Sequence, residues 1–234
     1  MGTLALPGAD GVTISVQESG DPGTPPVVLL HALGDTALDW EPVAGALAAD
    51  FRVFAIDLRG HGGSSRPGTY SFELMRDDVV AVLDALDLRD VILVGHSMGG
   101  VVAYLVALAQ SGRLARLVVE DAPPPNPRKR ALPERPSGEL PFDWAVVTPI
   151  AGQVNDPSRR WWPRLPEIPV PTLLVGGGHG SHIPQELLTE VVRLIPDCTL
   201  VTLDAGHNVH AAVPDQFVAT VTAWLRERAR TGPA

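Results

Sequence analysis

An α/β domain with a mostly parallel central sheet and helices on both faces is the fold class this sequence predicts, and three observations point to it. Short, continuous apolar runs recur along the chain and alternate with stretches of helical spacing, the order expected of strand–helix–strand units. The apolar runs lack a polar alternate face, as strands covered on both sides do. The glycine-rich and histidine-bearing segments follow the carboxyl ends of those runs, where sites in such sheets lie.

The elements follow in order. Residues 12–18 alternate as an edge strand would, and the cluster Ser19-Gly20-Asp21-Pro22-Gly23 ends it. Residues 27–30 read as an interior strand. The segment 38–48 has helical spacing with Trp40, Val43 and Leu47 on one side. A strand over 52–56 opens into the glycine-rich loop 57–65, in which His61 is either a base or, as is usual for a polar residue in such a loop, an organiser of backbone hydrogen bonds. Residues 72–86 read as a helix capped by Ser71. After a strand over 91–94 and a helix to 109, residues 114–119 form the next strand, ending in Glu120-Asp121.

Composition then changes. Residues 122–169 hold twelve of the 23 prolines and three of the five tryptophans. Prolines at that density forbid long regular elements, so a compact irregular cap is expected, with short helices near 143–154 and 157–164. Trp144, Trp161 and Trp162 either line a pocket or anchor the insertion to the body. Regular structure resumes with a strand at 172–175, a loop 176–182, a helix 184–195 with proline in its first turn, a last strand 199–203, and a closing amphipathic helix 217–228. The expected organisation is one domain, 1–234, with a cap insertion at about 122–169.

Within this frame Val91-Ile92-Leu93-Val94-Gly95-His96-Ser97-Met98-Gly99-Gly100 places Ser97 at the corner between strand and helix. Residues two before and two after the serine must lack bulk for so sharp a turn, and both are glycine. The turn lifts the hydroxyl above the sheet, and the helix start aims the Met98 N–H at any oxygen bound there. The loop after the 27–30 strand offers a second such donor, the N–H of Leu33.

A formal net charge of -9 argues against nucleic acid or an anionic membrane as partner. The single cysteine, Cys198, permits neither an intrachain disulfide nor a cysteine metal cluster. No apolar run is long enough to cross a bilayer, and the N-terminus has neither a basic start nor a long apolar core, so a cytoplasmic protein is expected.

Four motifs in order, HALGD at 31–35, DLRGHGGS at 57–64, GHSMGG at 95–100 and AGHNVHAAVPDQF at 205–217, give the chain a resemblance to α/β-hydrolase fold proteins over nearly its whole length. The resemblance implies Ser97 as nucleophile and His207, in the loop after the final strand, as its base. Two departures accompany it. Ala32 stands where the family usually has glycine after the histidine, which would displace the oxyanion loop slightly. The loop 176–185, where the family usually carries its acid, has no Asp or Glu. Some members take the acid from the end of the preceding strand, which here offers Glu120 and Asp121. Asp121 is preferred because it begins the loop, whereas Glu120 ends the strand pattern and points to the other face.

The implied activity is a serine hydrolase that cleaves a small-molecule ester, or a carbon–carbon bond beside a carbonyl, through an acyl-enzyme. The backbone N–H groups of Leu33 and Met98 would form the oxyanion hole, and His31, His96, Trp144, Trp161 and Trp162 are candidate pocket residues. The partner is a small-molecule substrate, and no metal, flavin or nucleotide is called for. Two alternatives stay open: a member that binds a small molecule without turning it over, and a lyase or cofactor-free oxidative enzyme on the same fold.

Overall fold

The computed structural model describes residues 2–127, 131–157 and 161–231. The strands β1 (Gly2–Pro7), β2 (Thr13–Ser19), β3 (Pro26–Leu30), β4 (Arg52–Ile56), β5 (Val91–His96), β6 (Leu114–Glu120), β7 (Thr172–Gly176) and β8 (Cys198–Thr202) form one sheet. Their spatial order is β1-β2-β4-β3-β5-β6-β7-β8. The β1/β2 and β2/β4 pairs are antiparallel and the remaining pairs parallel. The helices are α1 (Glu41–Leu47), α2 (Phe72–Ala85), α3 (Met98–Ala109), α4 (Val147–Asn155), α5 (Trp161–Arg164), α6 (Gln185–Leu194), α7 (Val209–Ala212) and α8 (Pro214–Thr231).

The period-2 alternation of side chains divides the core into two layers. Val28, Leu30, Leu93, Leu117, Val119 and Leu174 face a core built with α2, α3 and α6. Their chain neighbours Val27, Leu29, Ile92, Val94, Val118 and Leu173 face the opposite core, closed by α1 and α8. A one-residue slip in any central strand would exchange two apolar faces while breaking their packing, so the helices on either side fix the register. Buried nearly all round, α3 has no polar face to spare. The Ser71 hydroxyl accepts from the Leu74 N–H (3.1 Å) and starts α2, a cap worth about 1 kcal/mol.

Three sequence expectations change in detail. The 12–18 strand is not the edge, because β1 pairs outside it with Leu4 opposite Val16. The only apolar signal in β1 is Leu4 and Leu6, half-buried against the α2 layer, in a strand exposed elsewhere. The 38–48 helix begins as a 3-10 turn, Ala37–Trp40, and only Glu41–Leu47 is α-helical. A short helix, α7, precedes the closing one, which begins at Pro214.

Between β6 and β7 the Pro-rich segment carries a 3-10 turn, Trp144–Val146, then α4 and α5. The expected 157–164 helix is described only from Trp161, since residues 158–160 lie outside the described residues. The segment is tied to the 57–65 loop by Gly62 N–H to the Pro141 carbonyl (2.8 Å) and Asp143 N–H to the Gly60 carbonyl (2.7 Å). The Tyr70 hydroxyl adds a 2.6 Å bond to Asp143. Among the described residues no helix is long and apolar enough to cross a membrane.

Candidate active site

The chain turns outward in opposite directions from β3, whose next neighbour in sequence is β4 on one side, and from β5, whose successor β6 lies on the other. The carboxyl ends of these two strands therefore open a crevice, as a topological switch point does. Ser97 sits there, at the end of β5, with φ 50° and ψ -111°, a conformation rare for a residue with a side chain. Packing enforces it. A Cβ on Gly95 would strike the Gly99 carbonyl, and one on Gly99 would strike the Leu30 carbonyl, so the elbow closes only with glycine at both places.

His207 lies in the turn between β8 and α7. Its Nε2 is 3.0 Å from the Ser97 hydroxyl and its Nδ1 is 2.7 Å from Asp121 Oδ2. The carboxylate can only accept, so the proton sits on Nδ1 and Nε2 is left to take the hydroxyl proton. Both distances fall within the reach of general acid–base transfer. The His207 side chain keeps 17% of its surface exposed, while the Asp121 side chain is buried.

Asp121 is in the left-handed region, φ 45°, which aspartate tolerates better than most residues. Burial opposes its charge, but four donors outweigh burial and hold its carboxyl below the usual range. They are His207, the Ser181 hydroxyl, the Gln185 amide (3.0 Å) and the Gly177 N–H (2.9 Å). Three of the four come from the 176–185 loop. That loop has no acid of its own and instead furnishes the cradle for an acid supplied by β6. Sequence reasoning missed Ser181 and Gln185, whose signal was the loss of the loop's acid from a segment still rich in donors.

Glu120 goes elsewhere. It lies on the opposite side of the β6 end, fully buried, and both its oxygens meet His210 Nδ1 at 3.0 and 2.8 Å. His210 Nε2 is 2.8 Å from Asp39. With a carboxylate at each nitrogen the ring is held as a cation: burial pulls its pKa down, but Asp39 and then Glu120 outweigh it and raise it to about 9. Asp39, His210 and His96 bring ligand-type atoms within 4.8 Å of one another. Two of them already share a proton, the geometry of an ion pair rather than of metal ligation.

The expected pocket residues divide. A cavity of about 250 Å³ opens above Ser97, bordered by Leu33, Met98 and, from the cap, Pro124, Ile150 and Val154. Leu33 and Met98 line the same cavity as Ser97. The cavity lining contains none of Trp144, Trp161, Trp162, His31 and His96. Trp161 packs edge-on against Phe72 (5.5 Å), Trp162 donates to the Pro125 carbonyl (3.0 Å), and Trp144 packs beside Phe142. Trp161 thus joins the Pro-rich segment to α2, the contacts of Trp162 and Trp144 lie within that segment, and none of the three lines the cavity. His31 is buried, donating to the Ala32 carbonyl and accepting from the Leu58 N–H, so it braces the loop. His96 is buried beneath the elbow, where its Nε2 donates to the His207 carbonyl (3.0 Å). His61 has both nitrogens engaged by backbone, at Arg59 and Gly34. The cavity also includes His182, whose ring lies 4.2 Å from that of His207; the sequence did not single it out.

The α/β hydrolase fold family matches residues 25–145. The chain is 27% identical to the sn-1-specific diacylglycerol lipase ABHD11 of Mus musculus, covering 88% of this chain and 82% of that protein. It is 24% identical to esterase YbfF of Escherichia coli, over 86% and 93% of the two chains. The solved structure of esterase RhEst1 from Rhodococcus sp. ECU1013 shares the fold with a TM-score of 0.79 at 23% identity, over 97% of this chain and 99% of that one.

Proposed function

The chain belongs to the α/β hydrolase fold family, and on that premise we propose that it is a serine hydrolase of small-molecule esters with Ser97 as nucleophile, His207 as general base and Asp121 as the carboxylate that orients the base. The observation that carries the reading is the unbroken chain of contacts, 3.0 Å from Ser97 Oγ to His207 Nε2 and 2.7 Å from His207 Nδ1 to Asp121.

In the acylation step His207 Nε2 takes the Ser97 proton as Oγ attacks the ester carbonyl. The carbonyl electron pair moves onto oxygen, where the N–H groups of Leu33 and Met98 meet it, each donor being worth about 10² to 10³ in rate. The imidazolium, steadied by ionised Asp121, gives its proton to the departing alkoxide. Water repeats the cycle on the acyl-enzyme and frees the acid. The apolar cap wall, Pro124, Ile150 and Val154, favours an apolar acyl or alcohol group, and the esterase and lipase names of the relatives support an ester as substrate. The carboxylate behind His207 supports turnover over a receptor-like binding role, because a binding site has no use for an oriented base.

The test is Ser97→Ala. The variant should fold as the parent does, lose fluorophosphonate labelling, and lose at least about 10⁴-fold in turnover of p-nitrophenyl esters. Unchanged turnover would end the serine-nucleophile reading.

A further inference from the structure

We infer that the ion-pair cluster Glu120–His210–Asp39, together with His96, is a positioning device that sets His207 against the nucleophile from behind, without touching substrate. The inference rests on the reading of Ser97 and His207 just given.

His207 lies in the turn between β8 and α7 and is held there from several elements. The Gly206 N–H reaches the Gly177 carbonyl (2.9 Å) and Asp121 holds the imidazole. The His182 ring packs on the imidazole at 4.2 Å, Val209 is buried in the core layer of α8, and the cluster adds two further ties. His96 immediately precedes Ser97 in the chain, and its Nε2–H holds the His207 carbonyl at 3.0 Å, so one hydrogen bond joins the backbone of the base to the residue next to the nucleophile. Three residues after His207, Glu120 accepts from the His210 N–H (3.0 Å) as well as from the His210 ring. Glu120 and Asp121 are adjacent and grip opposite ends of the segment 207–210, so β6 fixes both the side chain of His207 and the chain that follows it.

His210 and Glu120 have no exposure, and the cluster meets solvent only at Asp39, whose side chain is 26% exposed. Asp39 faces His210 from the 3-10 turn after β3, Glu120 from the end of β6, and His96 from the end of β5 at 5.0 Å between rings. Asp35, in the loop before that turn, His31, at the end of β3, and His207 are further ionisable groups within its field. Trp40 stacks on the His210 ring at 3.9 Å and Phe217 packs on its edge. Charges buried as those of Glu120 and His210 are, with only Asp39 reaching solvent, are a costly way to stabilise a fold, since well-packed apolar residues would do as well. They define one orientation, which apolar groups would not. A misplacement of about 1 Å at a reacting atom costs about a hundredfold, so a device that fixes His207 to within less than that has a catalytic use.

The experiment compares Glu120→Gln and His96→Phe with the parent chain by p-nitrophenyl ester kinetics, by thermal stability, and by the NMR signal of the low-field ring proton shared between His207 and Asp121. The expected result for Glu120→Gln is a kcat lower by about ten- to a hundredfold with KM changed by less than about threefold, loss or broadening of the His207 ring proton, and partial recovery of both in Glu120→Asp. The alkaline limit of kcat, where His210 gives up its charge, should move down by about one pH unit or more. His96→Phe should lower kcat and perturb the same proton with His210 intact. A folded Glu120→Gln variant with kcat within about twofold of the parent, or one whose kcat falls while the His207 proton is unchanged, would overturn the inference. Because that proton is observed without turnover, failure of Ser97 to label in the parent would remove the proposed function and still leave the positioning claim scored.

Discussion

Two histidine–carboxylate pairs stand side by side in this molecule, and adjacent residues of one strand end supply their acids. In the first, Asp121 holds His207, whose side chain is 17% exposed and whose second nitrogen faces a serine hydroxyl. In the second, Glu120 holds His210, whose side chain has no exposure and whose second nitrogen faces another carboxylate. Residue types and hydrogen-bond lengths are nearly the same. The partner of the free nitrogen decides what each pair can do. Against a hydroxyl, an imidazole can exchange a proton as reaction proceeds. Against a carboxylate in a buried place, it holds its proton and becomes a fixed cation. Residue identity alone therefore does not make an acid–base catalyst.

The sharpest way to break the comparison is to delete each ring in turn. His207→Ala should cost about 10⁴-fold or more in turnover and little in stability, because the ring is partly exposed and its loss leaves Asp121 with three other donors. Asp121→Asn should cost about 10² to 10⁴ with KM nearly unchanged, since a carboxylate that supports the imidazolium acts in the transition state. His210→Ala should show the reverse emphasis: it strands the fully buried Glu120 carboxylate without its cation, a loss of about 3 to 5 kcal/mol of stability. Paired ester kinetics and chemical denaturation separate these outcomes. If His207→Ala proved the less stable variant and His210→Ala the less active, the assignment of the two pairs would be inverted.

The sequence made the first pair visible and hid the second. Ser97 was legible because glycine two residues to either side has a steric reason, and the alternation of apolar runs with helical spacing placed it at a strand end. The resemblance to α/β-hydrolases pointed to the end of β6 for the acid once residues 176–185 proved to have none, and the direction expected of a strand's last residue then favoured Asp121 over Glu120. His210 carried no such signal, since only tertiary packing brings Asp39, Glu120 and Trp40 around it from separate elements. The edge strand β1 was hidden for a related reason: pairing with β2 makes it a strand, and its own pattern of Leu4 and Leu6 is too short to announce it. The cap tryptophans could be counted but not aimed, because proline-rich segments lack the periodicity from which a facing direction is read.

The pairs also differ in how pH should act on them, and the buried histidines show it in stability. His210 is held up to about 9, above its ordinary 6.5. A raised value contributes stability that is fully present below pH 6.5 and is lost as pH rises through about 9. His96 and His61 behave oppositely, because burial lowers each to about 4; their contribution is present above pH 6.5 and is lost as pH falls toward 4. Thermal melting across pH should therefore show a maximum near 6.5, with an alkaline decline that Glu120→Gln weakens and an acid decline that it leaves in place. An alkaline decline of equal size in Glu120→Gln would mean that His210 does not carry it.

The smallest expected effect concerns the cradle of Asp121. Ser181→Ala removes one donor of four, leaving His207, Gln185 and the Gly177 N–H in place. A charge-assisted hydrogen bond is worth about 1.5 to 3 kcal/mol, but most of that affects the ionisation of Asp121, which stands below its ordinary 3.8 with room to rise before the carboxyl is neutral near pH 7. Turnover at neutral pH should then fall by less than about tenfold, with KM unchanged. The stability that the ionised carboxylate contributes is present above its unfolded value and is lost as pH falls through its folded one. Loss of the Ser181 hydroxyl raises the folded value, so acid-side melting should begin at higher pH in the variant. Ser181 bonds to Asp121 and Glu120 to His210, so the alkaline decline from His210 should be untouched. A Ser181→Ala variant that lost as much turnover as Asp121→Asn would instead assign the serine a direct part in proton transfer and would make the first pair a chain of four residues rather than three.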